Sequence, residues 1–411
     1  AKESRKRHLP YREALATEIR FWKQVFTRLS KNQYLFHDSR DLSIVYTVVT
    51  LDSTLSERVR SRRLKAVKRK IKNLLVKFHQ TPPDSLQLTD WERRIYQQFA
   101  HHRERDKFLK ASRRIRVQQG IRENFLAGVH RSHAYLPHIE LIFKEEGLPR
   151  ELIYLPHVES SFNPRAVSHV GAAGMWQFMR RTARSYMKVN RVVDQRFDPL
   201  VSTRAAARML KYNYRKLGDW ALAITAYNHG LRSMQRAKRR YGKDYMVIRE
   251  NYLRRSFGFA SKNFYPEFLA VVEIMDSLEY YFPEIKKHPV LEFQEIRLPR
   301  RVYLPRLARQ FHLDVTELRR LNPGYRRLVW RGVRSVPKGY PLRLPLTVNA
   351  EAILLALGAP EEAVRNIVLA HKEPDTGALV VETLGERLLR NLAVQQALHT
   401  LRPGLADAGT A

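Results

Sequence analysis

The sequence of 411 residues predicts a mainly α-helical chain that ends in small α+β modules. Three observations carry that prediction. Apolar residues fall at helical spacing through the first 125 or so positions, helical punctuation with sparse strand signals continues from Ile121 to Met275, and after Pro299 the texture changes to short apolar stretches broken by Pro and Gly. The length fits two or three domains at roughly 150 residues each. The expected divisions are a basic helical region over 1–120, a helical domain over 121–290, a small module over 296–347, a linker over 348–371 and a second, truncated module over 372–411.

In the first region the helical stripe runs through Ile19, Phe21, Trp22 and Phe26, then Leu64, Val67, Ile71, Leu74, Leu75 and Phe78, with a break at Thr81-Pro82-Pro83-Asp84. Basic residues interleave that stripe from Arg58 to Lys72, which reads as the solvated face of a core-packed helix. In the second region Leu148-Pro149 opens a helix, Asn163-Pro164 closes it and Asp198-Pro199 starts another. Beyond Pro299, Leu304, Leu318, Leu321, Pro323 and Gly324 recur 80 residues later as Leu384, Leu398, Leu401, Pro403 and Gly404, which suggests two copies of one module.

Hydrophobic residues make up 44% of the chain, so a disordered class is excluded. Basic residues number 75 against 40 acidic ones, for a net charge of +35. The excess is +17 over residues 1–130, +12 over 131–300 and +6 over 301–411, a gradient and not a single basic tail. Such a chain calls for polyanionic surroundings. A specific nucleic-acid partner is not expected, because Tyr34, Phe36, Phe78 and Trp91 read as core and not as stacking platforms. With no cysteine there is no disulfide framework and no thiolate chemistry. No apolar run approaches 18 residues, so no membrane span is predicted. His130, His133 and His138 cluster in sequence, but no His-Glu-x-x-His pattern occurs, and neither a metal nor another cofactor is expected. The sequence opens at Ala1 and is basic at once, a pattern that fits a chain matured by signal cleavage and equally an engineered start.

The chemistry concentrates in Leu155-Pro156-His157-Val158-Glu159-Ser160-Ser161-Phe162-Asn163-Pro164 and in Gly171-Ala172-Ala173-Gly174-Met175-Trp176-Gln177-Phe178-Met179. Glu159 stands near a helix end among Leu155, Val158 and Phe162, where apolar surroundings favour the protonated state that a general acid needs. From Ser160 to Val193 there is no acidic residue, so no second carboxylate is at hand locally for a two-acid glycosidase.

These segments resemble the lytic transglycosylases with a goose-lysozyme-like catalytic domain, the membrane-bound lytic murein transglycosylase D type above all. The carrying residues are Glu159-Ser160, Gly174-Met175-Trp176-Gln177-Phe178-Met179 and Ala226-Tyr227-Asn228-His229-Gly230, three motifs in the family's order over roughly residues 115–275. The resemblance implies a lysozyme-like helical domain with Glu159 as the sole acid/base. It also implies Ser168, Gln177 and Met179 along the sugar subsites, Tyr227 and Asn228 in the third motif, and Tyr265 near a fourth, although alignment on Pro266 puts Phe264 at that tyrosine position. Arg180 and His229 depart from the Pro and Ala common in the family.

The implied reaction is cleavage of the MurNAc–GlcNAc bond of peptidoglycan with closure of a 1,6-anhydromuramoyl ring. The C-terminal copies resemble LysM glycan-binding modules of βααβ form, carried by Leu304, Leu307–Phe311, Val315–Leu321, Asn322-Pro323-Gly324 and Leu342-Arg343-Leu344-Pro345. The usual Gly-Asp-Thr opening is absent from the first copy and partly kept in the second at Glu382-Thr383-Leu384. The implied location is the periplasm, with membrane association open. The expected partners are glycan strands, with anionic envelope polymers and envelope proteins beside them. The alternative reading is a catalytically weak scaffold that docks on peptidoglycan within an envelope assembly.

Overall fold

A computed structural model describes residues 9–81 and 87–401. The chain divides into two units, one of Ala1–His130, Phe143–Phe162 and Ala207–Lys286 and the other of Arg131–Ile142, Asn163–Ala206 and Lys287–Ala411. Helix predominates in both, as the sequence predicts.

The first unit opens with α1 (Ala16–Thr27), which buries Ile19, Phe21, Trp22, Val25 and Phe26. A three-stranded antiparallel sheet follows where only helix was expected: β1 (Gln33–Asp38), β2 (Val45–Thr50) and, far along the chain, β3 (Ile115–Gln119), in the order β2-β1-β3. Five consecutive residues of β1 are buried, so it lacks the alternation that marks a strand with one wet face. β2 is Val-Tyr-Thr-Val-Val-Thr, short but almost wholly β-branched or aromatic. Between β2 and β3 lie α2 (Glu57–Gln80), α3 (Asp90–Gln97) and α4 (Lys107–Ser112). α2 is N-capped by Ser56 and buries Ile71, Leu74, Leu75 and Phe78, while its cations stay outside. A Thr89/Glu92 capping box starts α3.

The same unit continues with α5 (Arg122–Ser132), α6 (Leu155–Ser160), α7 (Trp220–His229), α8 (Leu231–Tyr241), α9 (Tyr245–Asn251) and α10 (Phe259–Asp276). α10 is buried over most of its length and packs against α1, α6 and α7. Its interior Pro266 cannot donate to the Lys262 carbonyl. That carbonyl accepts instead from the Tyr245 hydroxyl at 3.3 Å and Arg249 Nε at 3.2 Å, which explains how a helix with proline inside survives in a core. Lys23 pairs with Glu273 at 3.0 Å and Arg249 with Glu18 at 2.8 Å, tying α1 to α10 and α9.

The second unit is built on β4 (Phe293–Arg297), α11 (Leu304–Gln310), α12 (Val315–Leu321) and β5 (Pro341–Leu344), a βααβ unit with its strands paired antiparallel. Residues 348–371, expected as a linker, are folded. α13 (Ala350–Ala356), capped by the Asn349 side chain, and α14 (Glu361–Arg365) lead into β6 (Val368–Lys372), which pairs with the other edge of β4. Ile353, Leu354, Leu357, Val364, Ile367 and Leu369 share one core with Ile296, Leu304, Leu307, Leu318 and Leu342. Gly358 and Pro360 lie between the two short helices.

β7 (Leu379–Thr383) completes the sheet order β5-β4-β6-β7, and α15 (Leu384–Leu401) follows. The second copy therefore has one long helix where the first has two. In the first copy His312 takes φ 52° and the Asp314 side chain caps α12; eighty residues on, Leu392 and Val394 supply neither break nor cap. The matching Pro403 and Gly404 lie outside the described residues. Among the described residues no helix is long and apolar enough to cross a membrane.

Candidate active site

Glu159 sits one residue from the C-terminus of α6. The helix is stopped by two consecutive left-handed residues, Ser161 at φ 51° and Phe162 at φ 55°. Their amides bond back to the carbonyls of His157 at 3.2 Å and Pro156 at 3.1 Å. The turn drives the Phe162 ring fully into the core, 4.4 Å from the His157 ring. Such a conformation is costly for a bulky residue and persists only where packing enforces it. α5 supplies part of that packing, because a Cβ on Gly128 would come within 2.8 Å of the Ser161 carbonyl oxygen, so only glycine lets α5 approach the turn.

Burial pushes the Glu159 carboxyl from its ordinary value up to about 8. A second acid shares this behaviour. Glu267, on α10 directly after Pro266, is also raised to about 8, first by burial and then by the negative charge of Glu159. Glu267 lies far beyond the acid-free stretch that follows Glu159. Its only sequence signal is a carboxylate inside the apolar run from Phe264 to Ile274. Two like charges in a desolvated place titrate as a pair, so near neutral pH the pair keeps a proton to donate.

The third motif closes α7. Tyr227 is half-buried and Asn228 is exposed, with the Asn228 Oδ1 accepting from Ser261 Oγ at 3.3 Å. His229 Nδ1 lies 3.1 Å from the same Ser261 Oγ and Nε2 lies 2.9 Å from Ser233 Oγ, which reaches the Tyr252 hydroxyl at 2.9 Å. The departure from Ala at this position thus fastens α7 to α8 and α10. Burial lowers the His229 pKa, favouring the neutral ring. Tyr265 needs correction as a groove residue. Its side chain is fully buried, packs edge-on against Tyr245 at 5.2 Å, and spends its hydroxyl on the Pro10 carbonyl at 2.7 Å.

Ser168, Gln177 and Met179 belong to the second unit, on one tightly folded loop. The Ser168 amide donates to the Ala172 carbonyl at 2.9 Å and Ser168 Oγ accepts from the Ala172 amide at 3.0 Å. Gly174 has φ 80°, and a Cβ there would overlap the Arg196 carbonyl. Trp176 is fully buried and donates to Thr203 Oγ1 at 2.8 Å. Arg196, paired with Asp194 at 2.9 Å, donates to the Gly171 and Phe178 carbonyls at 2.9 and 3.1 Å and staples both ends of the loop. Gln177 adopts φ 48° and its amide nitrogen donates to the Gly174 carbonyl at 2.8 Å. Ser168 is half-buried and Met179 is 45% exposed. In the same unit His138 is buried, with Nε2 donating to the Leu291 carbonyl at 2.6 Å, a packing role for one of the three clustered histidines.

Residues 139–246 match the transglycosylase SLT domain, and residues 292–354 match the lytic transglycosylase MltD, LysM-like domain. Over 207 residues the chain is 31% identical to membrane-bound lytic murein transglycosylase D of Escherichia coli strain K12, an alignment covering 47% of this chain and 43% of the relative. Over 102 residues it is 37% identical to a putative tributyltin chloride resistance protein of Alteromonas sp. strain M-1, covering 24% of this chain and 49% of that one. A transglycosylase of Enterobacteria phage PRD1 is 37% identical over 82 residues, covering 20% of this chain and 29% of that one. The chain spans less than half the length of each of these relatives.

Proposed function

We propose that this chain, which carries a transglycosylase SLT domain and an MltD-type LysM-like domain, is a peptidoglycan lytic transglycosylase of the cell envelope, acting in the periplasm. The observation that carries the reading is the Glu159 carboxyl, held in the last turn of α6 and pushed up to about 8 by burial. A proton bound there at neutral pH is what cleavage of a glycosidic bond requires first.

Glu159 donates that proton to the oxygen between N-acetylmuramic acid and N-acetylglucosamine. The muramoyl acetamide stabilises the developing cation from within the substrate, so no protein nucleophile is needed. The ionised Glu159 then takes the proton of the muramoyl C6 hydroxyl as it closes the 1,6-anhydro ring, and the acid is regenerated. Proton transfer of this kind contributes about 10²- to 10⁴-fold. The remaining acceleration comes from orientation of the sugar, for which Ser168, Gln177, Met179, Tyr227 and Asn228 are the proposed side chains.

Mass spectrometry of peptidoglycan digested by the purified protein tests the reading. Anhydromuramoyl ends are expected. Reducing, hydrated muramic acid ends would mean a hydrolase, and intact glycan that the protein nevertheless binds would favour a docking scaffold.

A further inference from the structure

Asp41 lies in the turn between β1 and β2, while His101 and His102 follow α3, sixty residues later in the chain. Folding brings the three together. Asp41 Oδ1 accepts from the Ser43 amide at 3.0 Å and from Ser43 Oγ at 2.6 Å, which fixes the carboxylate and aims Oδ2 away from the turn. His101 Nε2 and His102 Nε2 each lie 3.0 Å from that one oxygen, with the two rings 4.2 Å apart. The three ligand atoms all lie within 4.8 Å of one another.

The surroundings are those of an oriented donor set. On the far side of the His102 ring, Nδ1 stands 3.6 Å from Glu104 Oε2, so a carboxylate backs the imidazole whose other nitrogen points at the cluster. The loop itself is held, because the His102 amide donates to the Phe99 carbonyl at 3.1 Å and Lys107 Nζ donates to the His102 carbonyl at 2.8 Å. An open cavity of about 370 Å³ reaches Asp41, His102 and Glu104 beside Arg40 and Arg114, leaving room for a water.

We propose that Asp41, His101 and His102 bind a divalent transition ion of the zinc class, with a water completing the coordination. Two neutral imidazoles and one carboxylate suit zinc and its neighbours and do not suit magnesium or calcium, which take oxygen ligands. Zinc bonds of about 2.0–2.1 Å in a tetrahedral site hold the ligand atoms about 3.3 Å apart. The two 3.0 Å nitrogen–oxygen separations need to open only a few tenths of an ångström, and the two imidazole nitrogens lie within 4.8 Å of each other. The ion ties the β1–β2 turn to the connection between α3 and α4, two segments far apart in sequence. Its role is structural, since nothing in the proposed cleavage reaction passes through it.

The test uses the full chain stripped with EDTA and dialysed, titrated calorimetrically with ZnCl₂ and, in parallel, with MgCl₂, and melted with and without each salt. One zinc equivalent that magnesium does not replace is expected, together with a higher melting temperature in zinc alone. Asp41→Asn keeps the oxygen that holds Ser43 and should weaken that equivalent at least tenfold, as should His101→Ala/His102→Ala. Equal zinc stoichiometry and affinity in these variants and the parent would overturn the proposal, as would zinc and magnesium behaving alike. Should a variant fail to fold, zinc-edge X-ray absorption on the parent decides: two imidazole nitrogens in the shell are expected, and a shell without imidazole overturns the site.

Discussion

Glu267 on α10 feels the charge of Glu159 on α6 across the packing of those two helices, and burial pushes both carboxyls up to about 8. Two buried carboxyls side by side do not by themselves make a two-carboxylate glycosidase. The second carboxyl, itself mostly protonated at neutral pH, has no charge with which to act as a nucleophile. The charge that Glu159 gains on ionising opposes ionisation of Glu267, which stays neutral beside it.

Glu159→Gln should lower glycan cleavage by about two to three orders of magnitude, because an amide neither gives nor takes the proton. Folding should improve at alkaline pH. Between the ordinary value of 4.5 and about 8 the folded protein holds a proton that the unfolded chain has released, so the parent loses stability as pH rises through that window. At pH 7 the loss is about 1–3 kcal/mol. Thermal melts should therefore show the variant above the parent at pH 8, with the gap closing toward pH 5. A variant that cleaves at near the parent rate would remove Glu159 from the chemistry.

Glu267→Gln separates positioning from catalysis. A neutral amide in place of a neutral carboxyl leaves the burial that raises Glu159 unchanged, so the alkaline limb of kcat/KM should stay in place and the rate near pH 6 within a few fold of the parent. A loss of about a hundredfold or more at all pH values, with an unchanged limb, would make Glu267 a direct participant in the reaction.

Gly174→Ala should be among the most damaging single changes in the chain. The added methyl would overlap the Arg196 carbonyl and φ 80° disfavours any side chain, so a loss above about 3 kcal/mol is expected, read as a large fall in melting temperature. Gln177→Ala deletes the side-chain bond to the Gly174 carbonyl and should cost about 1 kcal/mol of stability along with turnover. Tyr227→Phe should lower turnover with an unchanged melting temperature. A matching fall in both would make Tyr227 a packing residue.

The residues legible in the sequence were those whose role follows from neighbours in the chain. The raised carboxyl of Glu159 was legible because its apolar flanks are contiguous in the chain, and α1 and α2 because Ile19 to Phe26 and Ile71 to Phe78 repeat at helical spacing. Glu267 was not, because its partner is brought by tertiary packing and a carboxylate inside an apolar run does not name the residue it faces. The fourth-motif resemblance implies Tyr265 at the substrate, yet the helix around it is buried and its hydroxyl serves the Pro10 carbonyl. Residues 348–371, expected as a linker, hold Ile353, Leu354 and Leu357, whose burial comes from the core of the preceding module and so depends on tertiary packing. The β1–β3 pairing links segments so distant that only the folded chain shows it.

The basic charge gives the last prediction, because α2 displays it without compensation. Arg58, Arg62, Arg63, Lys65, Lys68, Arg69, Lys70 and Lys72 are exposed, Glu57 is the only acidic residue of the helix, and among the described residues none of these cations is within ion-pair distance of a carboxylate. A solvated face accounts for their exposure but not for their single sign, which raises self-repulsion unless a polyanion meets it. Peptidoglycan peptides carry carboxylates, and attraction to them is long-ranged and cut off beyond a Debye length of about 8 Å at 0.15 M salt. Binding to isolated sacculi should therefore weaken steeply between low and physiological salt. Replacing Arg62, Arg63, Lys68 and Arg69 with Glu should remove most of that salt dependence while leaving cleavage of short soluble glycans within about twofold, since none of the four reaches the core of α2. An oligonucleotide should bind only weakly and be released near 0.15 M salt, as expected of charge without stacking platforms. Oligonucleotide binding that survives that salt and disappears with the four substitutions would assign α2 to nucleic acid and detach the basic region from the wall.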